Sequence, residues 1–173
     1  TGGEDLKIAL WDLAKDTKQP INTYANHSSI VNDFSWSYDI PTLFGSVSDD
    51  LTIQFIDIRS SSKEPLFKIE RGHEDVINAI ELNPVQKNLF VTGSADNLIN
   101  VWDLRYLEKP LRKLYGHNNA VTSLKFNPDQ AHLLASASND RRIHIWNLNN
   151  LAEEFDSDDY LKNDVEDPAL IFI

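Results

Sequence analysis

The sequence predicts an all-β protein assembled from repeated four-stranded sheets, and three observations carry that expectation. One 34-residue pattern recurs without gaps over residues 26–59, 72–105 and 116–149. Each copy has a histidine in second place (His27, His73, His117) and an aspartate in twenty-fifth (Asp50, Asp96, Asp140). The two later copies have a tryptophan in thirty-first place, Trp102 and Trp146, where the first has Ile56. Self-similarity at a period of 44–46 residues is the mark of a sheet repeated radially, a β-propeller. A partial copy precedes these: Asp5 and Trp11 hold the same relative places, and Thr1 falls about two-thirds of the way through it.

The strands follow from local pattern. In the last copy, 121–126 alternates and stops at the turn pair Asn127-Pro128. A second strand is expected over 132–138 and a third, rich in β-branched and aromatic residues, over 142–148. Fourth strands fall between copies, at 21–24, 65–69 and 111–115. Residues 98–102 are apolar on both faces, as suits a blade sandwiched between neighbours. The expected organisation is the end of one blade over 1–25, blades over 26–71 and 72–115, blade strands over 116–150, an acidic insertion over 151–168, and an outer strand over 169–173 leading to the next blade. Three blades and a fragment are roughly half of the usual ring of about seven, so a segment of a longer protein is expected.

The motifs Gly72-His73, Asn83-Pro84, Ala95-Asp96 and Trp102-Asp103, repeated as Gly116-His117, Asn127-Pro128, Asn139-Asp140 and Trp146-Asn147, resemble those of the WD-repeat (WD40) family. The resemblance implies a buried hydrogen-bonded set in each blade: the His, a Ser or Thr on the innermost strand, the hairpin Asp and the Trp. The last copy supplies His117, Ser123, Asp140 and Trp146. The middle copy has Ala79 at the Ser place, and the first, with Asp33 and Ile56, lacks two members. His117, Ser123 and Asp140 have the composition of a nucleophilic triad, but the same His and Asp recur in every copy, whereas an active site occurs once. They are read as stability residues. The chain is therefore expected not to be an enzyme. The histidines follow the blade period without a cysteine to assist, so no metal or other cofactor is expected.

Without cysteine, no disulfide framework is possible. No apolar run is long enough to span a membrane and the first residues do not read as a signal peptide, so a soluble intracellular protein is expected. A net charge of −11 argues against direct binding of nucleic-acid phosphates and for a basic partner. The charge is concentrated. Residues 151–173 carry eight carboxylates against the single base Lys162, a net −7. Phe155, Tyr160, Leu161 and Val165 punctuate the acids. An apolar contact inside a negative rim suits an amphipathic basic helix.

A closer resemblance rests on Phe34-Ser35-Trp36, residues 43–50, Thr92-Gly93-Ser94-Ala95-Asp96, Val101-Trp102-Asp103-Leu104-Arg105, Asn139-Asp140-Arg141-Arg142, Ala152-Glu153-Glu154 and Asp164-Val165-Glu166-Asp167-Pro168. These are similar to the histone-binding WD-repeat subunits of the retinoblastoma-associated, chromatin assembly factor type. The resemblance implies a histone chaperone that grips the first helix of histone H4, with H3 as its companion, for replication-coupled nucleosome assembly. Asp164, Glu166 and Asp167 are the implied contacts, with Glu153, Glu154, Asp158, Asp159, Phe155 and Leu161 around them. Other subunits of a chromatin assembly or acetyltransferase complex are the implied partners and the nucleus the implied location, with the cytoplasm second. Type B histone acetyltransferase and deacetylase or Polycomb complexes are alternative settings. Asn32, Val76 and Ala120 stand where the family places acids for an H3 tail, with Glu74 and Asp75 displaced, so tail binding is expected to be weak or absent while H4-helix binding is retained. A competing reading takes Trp102-Asp103-Leu104-Arg105 as the motif of WD-repeat substrate receptors of cullin ubiquitin ligases, with Arg105 as the adaptor contact; its bland counterpart is that Arg105 caps a strand.

Overall fold

The computed structural model describes residues 1–14, 18–152 and 166–172. Fourteen strands form four antiparallel sheets among these residues. β1 (Ile8–Leu10) and β2 (Asn22–Tyr24) make a two-stranded fragment. The first whole blade is β3 (Val31–Trp36), β4 (Leu43–Ser48), β5 (Ile53–Asp57) and β6 (Phe67–Ile69). The middle blade is β7 (Ile77–Leu82), β8 (Leu89–Ser94), β9 (Ile99–Asp103) and β10 (Arg112–Leu114). The last is β11 (Val121–Phe126), β12 (Leu133–Ser138), β13 (Ile143–Asn147) and β14 (Leu170–Phe172), with a 3-10 turn at Leu148–Ala152. Strand order within each whole blade is sequential, so every connection is a hairpin or a short loop except the one that reaches β14. Each first strand has a register shift at the same place: Val31/Asp33, Ile77/Ala79 and Val121/Ser123. Such bulges bend a strand and re-aim its side chains.

The core lies between blades rather than within them. One cluster joins Val47, Ile53 and Phe55 of the first blade to Ile77, Ile80, Phe90 and Trp102 of the next. Another joins Val91, Ile99 and Val101 to Val121, Leu124, Phe126 and Trp146. That is why central strands such as β5 and β9 are buried on both faces. Close approach is secured at Gly93, where an added Cβ would meet Val121 Cγ1 of the following blade at 2.5 Å. Directed hydrogen bonds add to the packing. The Asn32 amide donates to the Ile77 carbonyl of the next blade at 2.9 Å, and the Asn78 amide repeats this with Val121 at 2.9 Å.

The turn between second and third strands has a left-handed residue after the aspartate: φ is 66° at Leu51, 71° at Asn97 and 68° at Arg141. Leu6, after Asp5, has 64°. The opening fragment therefore shares the turn of the whole blades. It shares the bond beneath as well, since Trp11 Nε1 donates to Thr1 Oγ1 at 3.2 Å. Among the described residues no helix is long and apolar enough to cross a membrane.

Candidate binding site

Each whole blade contains a hydrogen-bonded chain that starts at its hairpin aspartate. In the last blade, His117 Nδ1 meets Asp140 Oδ2 at 2.8 Å and His117 Nε2 meets Ser136 Oγ at 2.7 Å, while Trp146 Nε1 donates to that Oγ at 2.8 Å. In the middle blade the distances are 2.9 Å for His73 to Asp96, 2.8 Å for His73 to Thr92 and 2.9 Å for Trp102 to Thr92. In the first blade His27 meets Asp50 at 3.0 Å and Ser46 at 2.9 Å. With the proton on Nδ1, indole N–H, hydroxyl, imidazole and carboxylate satisfy one another in series.

The hydroxyl therefore comes from the second strand, not the innermost one. Ser123, expected to supply it, is exposed, and Ser136 on β12 takes its place. The bulge between Val121 and Ser123 re-aims the first strand, and β12 faces the histidine. The middle blade is complete through Thr92 despite Ala79, and the first lacks only the indole, with Ile56 buried in its stead.

The aspartates also organise the turn. Asp50 Oδ2 accepts the Ser28 N–H at 2.8 Å and Oδ1 the Thr52 N–H at 2.9 Å; Asp140 does the same for Asn118 at 3.1 Å and Arg142 at 2.9 Å. Burial pushes these carboxyls up, but the histidine and backbone hydrogen bonds more than offset it. Asp50 and Asp96 end below the usual carboxylate range and Asp140 at about 2.

His144 breaks the pattern. Its counterparts are tied to backbone, with Gln54 Nε2 donating to Asn26 O at 3.1 Å and Asn100 Nδ2 to Gly72 O at 2.8 Å. His144 is fully buried with neither ring nitrogen bonded, and it stacks on His117 with centroids 4.0 Å apart and planes 8° apart. Burial, then the neighbouring His117, lowers its pKa to about 4. Candidate ligand atoms of His117, Asp140 and His144 lie within 4.8 Å of one another. Stacked rings, however, direct their in-plane lone pairs side by side rather than at a common point, and His117 already spends both nitrogens on Asp140 and Ser136.

The acidic segment leaves the last blade after β13 and returns at β14. Glu153, Glu154, Phe155, Asp158, Asp159, Leu161 and Asp164 lie outside the described residues. Glu166 is exposed. Asp167 differs from the expectation that it faces a partner: it is 1% exposed. Its Oδ1 accepts from Arg112 Nη2 at 2.9 Å and from the Ala169 N–H at 3.0 Å, and its Oδ2 accepts the Tyr115 N–H at 3.1 Å. It is a structural carboxylate, held by the outer strand of the preceding blade. The same guanidinium donates through Nη1 to the Leu151 carbonyl at 2.8 Å. Arg112 was not singled out from the sequence. The signal available was a cation in the place where the equivalent outer strand has Phe67.

Arg105 forms a two-pronged pair with Asp103, Nε to Oδ1 at 2.9 Å and Nη2 to Oδ2 at 2.5 Å, and Arg59 repeats it on Asp57 with a closest approach of 2.6 Å. Recurrence in two blades favours a strand-end cap over a dedicated adaptor contact. At the places considered for an H3 tail, Glu74 and Asp75 are exposed, and Asn32 donates to Asp49 at 2.6 Å as well as across to the next blade.

Interlocked four-stranded blades carrying a His–Ser/Thr–Asp set define the class: a WD-repeat β-propeller, with an acidic excursion from its last blade. A family model described as the EIPR1 β-propeller matches residues 1–146, and the chain belongs to that family. It is 31% identical over 118 residues to WD-40 repeat-containing protein MSI3 of Arabidopsis thaliana, covering 66% of this chain and 27% of that protein. It is 33% identical over 114 residues to histone acetyltransferase type B subunit 2 of Candida glabrata, covering 64% and 26%. The chain thus spans about a quarter of the length of these relatives. Both bear out the resemblance to the histone-binding WD-repeat subunits.

Proposed function

We propose that the chain belongs to a histone-binding WD-repeat subunit that grips the first helix of histone H4 through its acidic segment and so chaperones H3–H4 for nucleosome assembly in the nucleus. The observation that carries this is the β13-to-β14 connection. The corresponding connections run from Asp57 to Phe67 and from Asp103 to Arg112, whereas here the chain travels from Asn147 to Leu170 and gathers a net charge of −7 on the way. Long excursions from a tight repeat are one of the places where binding function concentrates. Its carboxylates would raise on-rate and selectivity toward a basic helix, and its apolar residues Phe155 and Leu161 would hold the complex. Relatedness to a type B histone acetyltransferase subunit supports a histone ligand. It also favours a second reading in which the same grip serves acetylation of H4 by a catalytic partner subunit. The chain itself acts by binding, without catalysis and without a cofactor.

The test is titration of an H4 first-helix peptide against the full-length protein and a variant lacking 153–165. The deletion is expected to abolish binding. The intact protein is expected to lose affinity steeply with salt, because exposed pairs are screened over roughly 8–10 Å at physiological ionic strength. Unchanged binding after the deletion would refute the assignment. Identifying the co-purifying subunits then separates assembly from acetylation.

A further inference from the structure

We propose that Arg112 is a positioning residue for the acidic segment: a single guanidinium, borrowed from the preceding blade, ties together the two points where that segment leaves and re-enters the propeller. The inference rests on the histone-helix reading for its consequence, but its geometry is independent of it.

Arg112 lies on β10, the outer strand of the middle blade, and its side chain is 11% exposed. Nη1 holds the Leu151 carbonyl, at the departing end, at 2.8 Å. Nη2 holds Asp167, at the returning end, at 2.9 Å. Asp167 then uses its other oxygen on the backbone N–H of Tyr115, three residues further along the same neighbouring blade. A second link closes the neck from within, where Asn150 Nδ2 donates to the Pro168 carbonyl at 3.0 Å. A planar fork with fixed donor directions suits this double task, and a lysine could not reproduce it. The pair is largely withdrawn from water and Asp167 wholly so, and removing Arg112 strands a buried carboxylate.

Mechanically, the two ends of the segment are held at a set separation and against a set neighbour. A partner that binds the segment therefore meets ends that are already ordered, and part of the entropy of closing that loop is lost in folding rather than in binding. Asp167 thereby changes role. It is the anchor of the acidic segment, and the charges offered to a ligand are those ahead of it, from Glu166 backward.

The experiment compares three full-length proteins: wild type, Arg112→Gln, and the double variant Arg112→Met with Asp167→Leu. Well-packed apolar replacements of a buried ion pair commonly preserve stability. Each protein is scored for melting temperature, for H4 first-helix peptide affinity and for the rate of protease cleavage within 153–165. The double variant is expected to melt near wild type, to bind about tenfold more weakly and to be cut faster. A double variant that matches wild type in affinity and cleavage while remaining folded would overturn the proposal. Should wild type itself fail to bind the peptide, the histone reading falls and the cleavage rate alone decides on Arg112. If the double variant unfolds, Arg112→Lys takes its place. That variant keeps the charge but not the fork, and unchanged cleavage in it would equally refute the clamp.

Discussion

The middle and last blades are built from one pattern, yet one buried position finds a partner in the former and not in the latter. In the middle blade Asn100 reaches the Gly72 carbonyl at 2.8 Å, and every polar group around His73 has its partner except the Asn100 oxygen. In the last blade His144 stands in the same place, stacked on His117, with two nitrogens that no other group meets. Asp140, His117, Ser136 and Trp146 are bonded as tightly as their counterparts. The difference shows that the blade's hydrogen-bonded set is modular: an ill-matched neighbour can sit against it without disturbing its geometry. The misfit is confined to a side chain whose charged form is disfavoured by burial and by the neighbouring His117.

The largest effect is expected from breaking the common element. Asp96→Ala removes the acceptor for His73, for the Glu74 N–H and for the Leu98 N–H together. A loss of about 3 kcal/mol in urea denaturation is expected, from stranding the buried His73 and freeing two turn N–H groups together. Because folding lowers the pKa of this carboxyl, its contribution is present above the unfolded value and disappears as pH falls through the folded one. Next comes the misfit itself. The unfolded chain protonates His144 near 6.5 and the folded chain near 4. Between those values the unfolded state binds more protons, so stability falls as the solution is acidified. His144→Asn, the middle blade's solution, is expected to remove about 2 kcal/mol of the stability difference between pH 7 and pH 5. Parallel slopes for variant and wild type would exclude His144 as the source. The smallest effect lies in the turn. Arg141 adopts φ 68° where the middle blade has Asn97 at 71°. Arg141→Asn is expected to stabilise the protein by about 0.5 kcal/mol, since asparagine tolerates the left-handed region better than a longer side chain. Thermal melting would register it as a rise of a degree or two.

The propeller was readable because its hydrogen-bonded set demands fixed sequence spacing: each histidine lies 23 residues before its aspartate in every blade. Even the opening fragment obeyed, down to the Trp11–Thr1 bond. Which serine completes the set was not readable, since Ser123 and Ser136 both sit in alternating strands and only the bulge decides which faces inward. Nor was the role of Asp167, because composition makes it one more acid in an acidic run. Its partner lies 55 residues earlier on a different sheet, a contact that no periodicity encodes.

The asparagine bridges of the inner strands have a direction. Asn32 hooks onto Ile77, and Asn78 onto Val121. In each case the earlier blade supplies the hook and the later one the eye. A polypeptide emerging from the ribosome amino end first thus exposes each amide before its carbonyl has been synthesised. The direction of these two hooks matches the order of synthesis, so each of these two sheets can offer its amide to the next as that one forms.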